Sequence, residues 1–311
     1  MAKINAVLGE IDIDNLGETL FHEHVACVNP AFRFAFGNKY FPREKVLERA
    51  VNLLIQARNE CGVQTIIDAT PVDLGRDVEL IKEVSLLTKV NVLVSSGIYC
   101  NEEEFLKDKS PQKLASFFID EFENGIQGTA VKPAILKCAT SDKGVTPINA
   151  MFLTALSITQ KETGLPLYCH NVHSKQTADE QLKLLDKNGV DFSKVVIGHC
   201  SDCYDEKYLE SLAKNGCYLS FDRIHPDLFE KQARTIAKLI ENGFEDKLLV
   251  SHDYFAYLDY GDREFENEHL SNKNFCTVHK KLLPALLSFG IKENQVKKLI
   301  IDNPKRVLLV K

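Results

Sequence analysis

The heptapeptide TLFHEHV, residues 19–25, places His22 and His24 two positions apart in an otherwise apolar segment. On a β-strand, positions i and i+2 project to one face, so two imidazoles at a strand end can share a metal ion. A single His-x-His is weak evidence alone, since the chain has nine histidines in 311 residues. What gives it weight is that other ligand types close further apolar runs: Lys137 in ILKCAT, His170 in YCHN, His199 in VIGHCSD and Asp253 in VSHDY. Neutral imidazoles with a carboxylate suit Zn²⁺ or a similar divalent ion.

These residues need elements to gather them. Short β-branched runs occur at 19–25, 64–70, 90–99, 130–140, 166–171, 195–200, 217–223 and 248–254. Between them lie segments with helical periodicity. In 44–61, Leu47, Val51 and Leu54 fall on one stripe with Val46 and Ala50 beside it. The segment 146–164 opens on a Thr146 cap with Pro147 in the first turn and ends at Gly164. Further helices are predicted at 74–89, 111–126, 175–189, 204–215, 226–243, 272–289 and 293–302. Eight strand–helix units without an evident linker predict an α/β chain folded as one (β/α)₈ TIM barrel over residues 1–311. An open doubly wound sheet would carry a glycine-rich turn after its first strand, and HEHVACVNPAF contains no glycine. In a barrel the active site lies at the C-terminal strand ends. That is where five of the eight strands place His22 and His24, Lys137, His170, His199 and Asp253.

Composition narrows the partners. Apolar residues make up 44% and charged residues 26%, ordinary for a chain with a sizeable core. A net charge of −6 argues against nucleic acid and anionic membrane as partners. No apolar run is long enough to span a bilayer, and MAKINAVLGEIDID does not read as a signal peptide. Nine cysteines without regular spacing read as reduced thiols in a cytoplasmic protein.

Taken together, HEHV, ILKCAT, YCHN, VIGHCSD, VSHDY and the closing DNPKRVL resemble the phosphotriesterase family of the amidohydrolase superfamily, over almost the whole chain. The resemblance implies a binuclear hydrolase of the amidohydrolase barrel type. His22, His24 and Asp253 would hold the more buried of two divalent ions, and His170 and His199 the more exposed one. Lys137, N-carboxylated by carbon dioxide, would bridge them. A free ammonium cannot ligate a cation, whereas a carbamate supplies two anionic oxygens. Two such ions about 3.5–4 Å apart share a hydroxide and make it a nucleophile at neutral pH. Asp253 would act as general base.

The substrate is less constrained. Tyr99 in SSGIYC and Arg223 in SFDRI stand where lactonase members of the family carry similar residues, and both are expected to touch substrate. Only Ile224 and His225 separate FDR from Pro226, which is expected to open the next helix, so this loop is short, as in the lactonases. The segment YFAYLDYGDREFENEHLS is polar and suits a small polar lactone, a phosphorylated sugar lactone included; Arg33, Lys39, Lys143, Lys175, Arg223 and Arg263 are candidate phosphate contacts. A phosphotriesterase is the alternative activity. A metal-free aldolase using Lys137 as a Schiff base, or a non-catalytic metal-binding barrel, are remoter alternatives. Cys138, Cys169, Cys200 and His252 adjoin ligand positions and are expected to face the helix layer. Cys200-x-x-Cys203 is expected to be inert, and His173 and His225 to be solvent-facing or to support the ligands. NPAFRFAFGNKYF, with five aromatics and no regular period, is expected to be a lid or a homodimer contact.

Overall fold

The computed structural model describes residues 2–259 and 274–309. Eight parallel strands run in sequence order: β3 (Glu18–Cys27), β4 (Val63–Asp68), β5 (Asn91–Gly97), β6 (Ile135–Ala139), β7 (Leu167–His170), β8 (Val195–Ile197), β9 (Tyr218–Phe221) and β10 (Leu248–Val250). Each follows its predecessor through helical chain, the crossover connection that parallel pairing requires. The predicted (β/α)₈ architecture is what the chain forms.

Two features went unpredicted. β1 (Lys3–Ala6) and β2 (Gly9–Asp12) form an antiparallel hairpin ahead of the barrel. β11 (Phe255–Leu258) follows β10 after four residues and pairs in parallel with β3, Phe255 opposite His24. The eighth strand is thus broken in two. Its first half pairs with β9, its second half with β3, and the break at 251–254 holds Asp253.

Strand alternation sorts the core into two layers. Phe21, Ile67, Leu93, Ile135, Tyr168, Val196, Tyr218 and Leu249, one from each strand β3 to β10, pack inside the barrel. Ile4, Ile13 and Leu16 from the N-terminal segment and Val307 and Leu308 from the last helix join the same cluster. The intervening residues, such as Leu136, Leu167, Ile197 and Val250, belong to the larger cluster under the helices.

The helices form where their caps predict. α5 (Pro147–Thr163) starts with Thr146 Oγ1 accepting the Asn149 N–H at 3.2 Å and stops at Gly164, φ +70°. Three boundaries differ from expectation. The segment after β3 contains α1 (Pro30–Phe36), with the Asn29 side chain accepting the Phe32 N–H, so Asn-Pro is an N-cap signal that the aromatic count obscured. The helix expected from 226 begins at Phe229, leaving Pro226 in a turn. Strand β6 begins only at Ile135, because Pro133 has no N–H to give a ladder.

Candidate metal centre

All six predicted ligand positions meet at the C-terminal mouth of the barrel. His22 and His24 point inward from β3, where pairing with β4 slips register between Leu20 and Glu23. Lys137 and His170 are inward positions of β6 and β7. His199 and Asp253 lie just beyond β8 and β10 and both have positive φ, +59° and +52°. Non-glycine residues rarely adopt that conformation, and such strain collects where function over-determines the backbone.

The distances are short. His22 Nε2 lies 3.1 Å from His24 Nε2 and 3.1 Å from Lys137 Nζ. Asp253 Oδ1 is 3.3 Å from His22 Nε2 and 3.2 Å from His24 Nε2. On the other side His199 Nε2 and His170 Nδ1 approach to 2.5 Å, and Asp253 Oδ2 is 3.7 Å from His199 Nδ1. His22, His24, Lys137 and His199 are buried, while His170 and Asp253 are half-buried.

Burial strips charge from most of this cluster. It pushes His22, His170 and His199 well below the ordinary imidazole range, with Lys137 reinforcing the effect on the first two and Arg223 on all three. Burial lowers Lys137 to about 8. Asp253 stays ionised: burial opposes its charge, but His22, Arg223 and His24 outweigh it. His24 is the exception. Burial opposes its protonation, yet Cys27 and Asp253 hold it at about 10, so a proton stands between imidazole and carboxylate where a cation would.

A carboxylate absent from the predicted set organises these rings. Asp222, buried just past β9, accepts from His22 Nδ1 at 2.8 Å, from His199 Nδ1 at 3.0 Å, from the His199 backbone N–H at 2.9 Å, and from the Tyr168 hydroxyl. When a cation keeps it ionised, Asp222 can only accept, which would place the proton of each ring on Nδ1 and turn an Nε2 lone pair to the centre. His24 Nδ1 is likewise engaged, by Thr70 Oγ1 at 2.7 Å. Burial, then the charge of Asp253, pushes Asp222 well above the usual carboxylate range; a cation in the centre would oppose both. Glu23, between the two histidines, gathers the broken strand: it accepts from Ser251 Oγ (2.7 Å), His252 N (3.0 Å), His252 Nδ1 (2.6 Å) and Tyr254 N (3.0 Å). Its donors flank Asp253 on both sides.

The donor set fits a divalent ion. Nε2 of His22, Nε2 of His24 and Asp253 Oδ1 lie 3.1–3.3 Å apart, an approach that a shared cation satisfies once it takes the place of the proton on His24. His22, His24 and Asp253 have ligand atoms close enough to hold one ion. On the other side His170 and His199 face one another, and His22, His199 and Asp222 form a second group close enough to hold an ion.

Beside this centre opens a cavity of about 710 Å³. Tyr99 and Arg223 both line it. Tyr99 Oη lies 3.2 Å from His170 Nε2; Arg223 Nε donates to Asp253 Oδ2 at 2.9 Å and Nη1 to Asp202 at 2.7 Å. One wall is apolar, made by Leu74, Phe255 and Leu258. Of the predicted basic rim residues only Arg223 lines the cavity among the described residues. Arg33 is paired with Asp77 and lies over the Phe41 ring, Lys39, Lys143 and Lys175 are exposed, and Arg263 lies outside the described residues. So does most of the polar segment after Asp253. Cys138, Cys169 and Cys200 pack in the layer under the helices. Cys200 Sγ donates to the Ile197 carbonyl and Cys203 Sγ to the Asp205 carbonyl. His252 is buried between Glu23 and the Val278 N–H and also borders the cavity. His173 is buried against the Gly198 carbonyl, and His225 lines the cavity.

Comparison with known proteins agrees with this geometry. Residues 2–308 match the model of the phosphotriesterase family. A phosphotriesterase homology protein of Mycobacterium tuberculosis is 32% identical, covering 99% of this chain and 98% of its own length. An aryldialkylphosphatase of Saccharolobus solfataricus is 31% identical over 95% of this chain and 96% of its own. An N-acetyltaurine hydrolase of Danio rerio is 26% identical over 99% and 98%. Among solved structures, that of the phosphotriesterase from M. tuberculosis superposes with a TM-score of 0.92 over 99% of this chain and 98% of that one, at 32% identity. The chain belongs to the phosphotriesterase family and is a metal-dependent hydrolase of ester bonds.

Proposed function

We propose that this hydrolase opens a small lactone, with His22, His24 and Asp253 holding one divalent ion, Zn²⁺ by ligand type, His170 and His199 a second, and N-carboxylated Lys137 between them. The observation that carries the reading is the pairing of Arg223 Nε with Asp253 Oδ2 at 2.9 Å, opposite Tyr99 Oη at 3.2 Å from His170. When bound, the ions supply a polarised acyl carbonyl and a water acidic enough to lose its proton near neutral pH. Asp253, kept ionised, accepts that proton as the new C–O bond forms. It returns the proton to the ring oxygen as the old C–O bond breaks, leaving a hydroxy acid. Arg223 orients Asp253 through Nε, and Tyr99 bounds the carbonyl from the His170 side. Lys137 at about 8 keeps part of its population as the free amine that carbon dioxide requires.

The connection between β9 and α8 (Phe229–Glu241) is short, and the cavity has one apolar and one polar side. That suits a ring with one carbonyl and one substituent better than a phosphotriester with three arms. Among the described residues Arg223 is the one predicted basic contact on the cavity, which gives a phosphorylated lactone a single partner and favours an unphosphorylated one. A panel of γ- and δ-lactones, aryl phosphotriesters and N-acyl amino sulfonates tests it. Highest kcat/KM on a lactone is expected; turnover of phosphotriesters or amides with none of any lactone overturns it. The aryldialkylphosphatase relative makes phosphotriester hydrolysis the second reading. Exposed Phe32, Phe34 and Phe36 of α1 support a contact between two copies, and a monomer in sedimentation would refute that. Nine free cysteines, with Cys138 and Cys169 sulfurs 3.4 Å apart, support a reducing, cytoplasmic setting.

A further inference from the structure

Tyr99 sits beyond the end of β5, on chain with no ladder of its own, yet its hydroxyl must stay within hydrogen-bond reach of His170. Its backbone N–H donates to Asp73 Oδ1 at 2.8 Å, across 26 residues of sequence. Asp73 belongs to the turn Val72–Leu74 after β4, and that turn is pinned. The Val28 N–H donates to Leu74 O at 3.0 Å, tying the turn to the end of β3. At Gly75, φ +77°, an added Cβ would lie 2.2 Å from the Val28 carbonyl oxygen, so the chain comes as close as glycine permits.

We propose that Asp73 is a positioning residue for the candidate site: its carboxylate anchors the Tyr99 backbone, and through it the phenol that borders the substrate cavity. The inference rests on the reading of Tyr99 as a substrate contact. A second observation sets Asp73 apart from an ordinary turn residue. Its other oxygen, Oδ2, is buried with no hydrogen-bond partner among the described residues. Keeping such a carboxylate costs folding free energy, and costs of this kind collect at functional sites. Burial accordingly raises Asp73 to about 6, against the Tyr99 N–H, its own backbone N–H and the Asn101 side chain, which favour the ionised form; Glu103 opposes it. Burial, then the charges of Asp73, Glu102 and Asp142, pushes up the thiol of Cys100, the residue after Tyr99. Above pH 6 the anchor is a charged acceptor. Below it the anchor is a neutral carboxyl, which holds an N–H less strongly.

The test is a double-mutant cycle on wild type, Asp73→Ala, Tyr99→Phe and the double variant, with dihydrocoumarin and an aryl phosphotriester as probes. Loss of one charge-assisted hydrogen bond predicts a fall in kcat/KM of roughly tenfold for Asp73→Ala, carried mainly by KM. In the Tyr99→Phe background the same change is expected to cost less than about twofold, since the two act as one unit. An equal cost in both backgrounds means a merely structural role and overturns the proposal. Asp73→Asn keeps an acceptor in the same shape and guards against misfolding of the alanine variant. Wild type should exceed it about threefold at pH 8, and the advantage should vanish by pH 5; a pH-independent ratio refutes the anchor. Amide exchange of the peptide containing Tyr99 separates this inference from the functional reading. If neither probe is turned over, the substrate class is wrong. Exchange at least tenfold faster in Asp73→Ala than in wild type still supports the anchor, and unchanged exchange sinks it.

Discussion

Replacing Asp222 with asparagine tests how the imidazoles are made into ligands. The carboxylate has two acceptor oxygens: one takes His199 N at 2.9 Å and His199 Nδ1 at 3.0 Å, the other takes His22 Nδ1 at 2.8 Å and the Tyr168 hydroxyl. Asparagine has one acceptor. If its oxygen stays with the two His199 donors, its NH₂ points at His22 Nδ1, which must then accept. The His22 proton moves to Nε2, the nitrogen 3.1 Å from both His24 Nε2 and Lys137 Nζ. A protonated Nε2 cannot ligate. The loss is one hydrogen bond to a charged group, about 1.5–3 kcal/mol, or about 10–100-fold in metal affinity. Competition against a chelator of known affinity, with metal content read by mass spectrometry, measures it. The metal-free thermal midpoint controls for folding. If Asp222→Asn binds zinc within about threefold of wild type, Asp222 does not set the tautomer and the reasoning fails.

Reconstitution from metal-free protein should accelerate with pH. Burial lowers Lys137 to about 8, so its free-amine fraction rises nearly tenfold from pH 6 to 7, more slowly above, and levels beyond 8. A rate flat from pH 6 to 9, or no carbamate signal from Lys137 with ¹³C-bicarbonate, counts against the bridge. Glu23→Gln replaces one acceptor oxygen of a carboxylate that serves four donors; it should cost about 3 kcal/mol or more in urea unfolding and speed exchange at 251–255. Leu93→Ala opens the barrel interior at a fully buried position and should cost about 2–5 kcal/mol by the same assay without altering metal stoichiometry. Gly75→Ala should destabilise by more than about 1 kcal/mol, because its Cβ meets backbone, and raise KM through the displaced Leu74 that lines the cavity.

Some of this was legible in the sequence and some was not, for identifiable reasons. The candidate ligand positions show because each is a polar residue ending an apolar β-branched run, and because a barrel brings all such ends to one rim. His22 and His24 even announce their shared face by spacing. Asp222 carries the same signal, a carboxylate just past YLSF, but its contacts with His22 and His199 join residues that are remote in the chain. Glu23 is masked differently: between two histidines on a strand it reads as the residue facing away, and only the partner it reaches, the break at 251–254, reveals it. β11 is invisible for a related reason. FAYL looks like the start of a loop until the break at Asp253 shows that the eighth strand resumes and pairs with the first.

The break itself links fold to chemistry. A continuous eighth strand would direct residue 253 by simple alternation, and its backbone N–H and carbonyl would be spent on ladders. Interrupting it frees Asp253 to adopt φ +52°, with its N–H donated to His22 O at 3.1 Å and its carboxylate turned toward both imidazoles. Glu23 offsets the lost ladder by accepting from the backbone on either side, and β11 closes the barrel beyond the gap. The left-handed turn at Asp253 is therefore held from three directions: by the strand that carries the two histidines, by the glutamate between them, and by Arg223 from the cavity side. A substitution that relaxes any one of these should loosen Asp253 before it loosens the barrel.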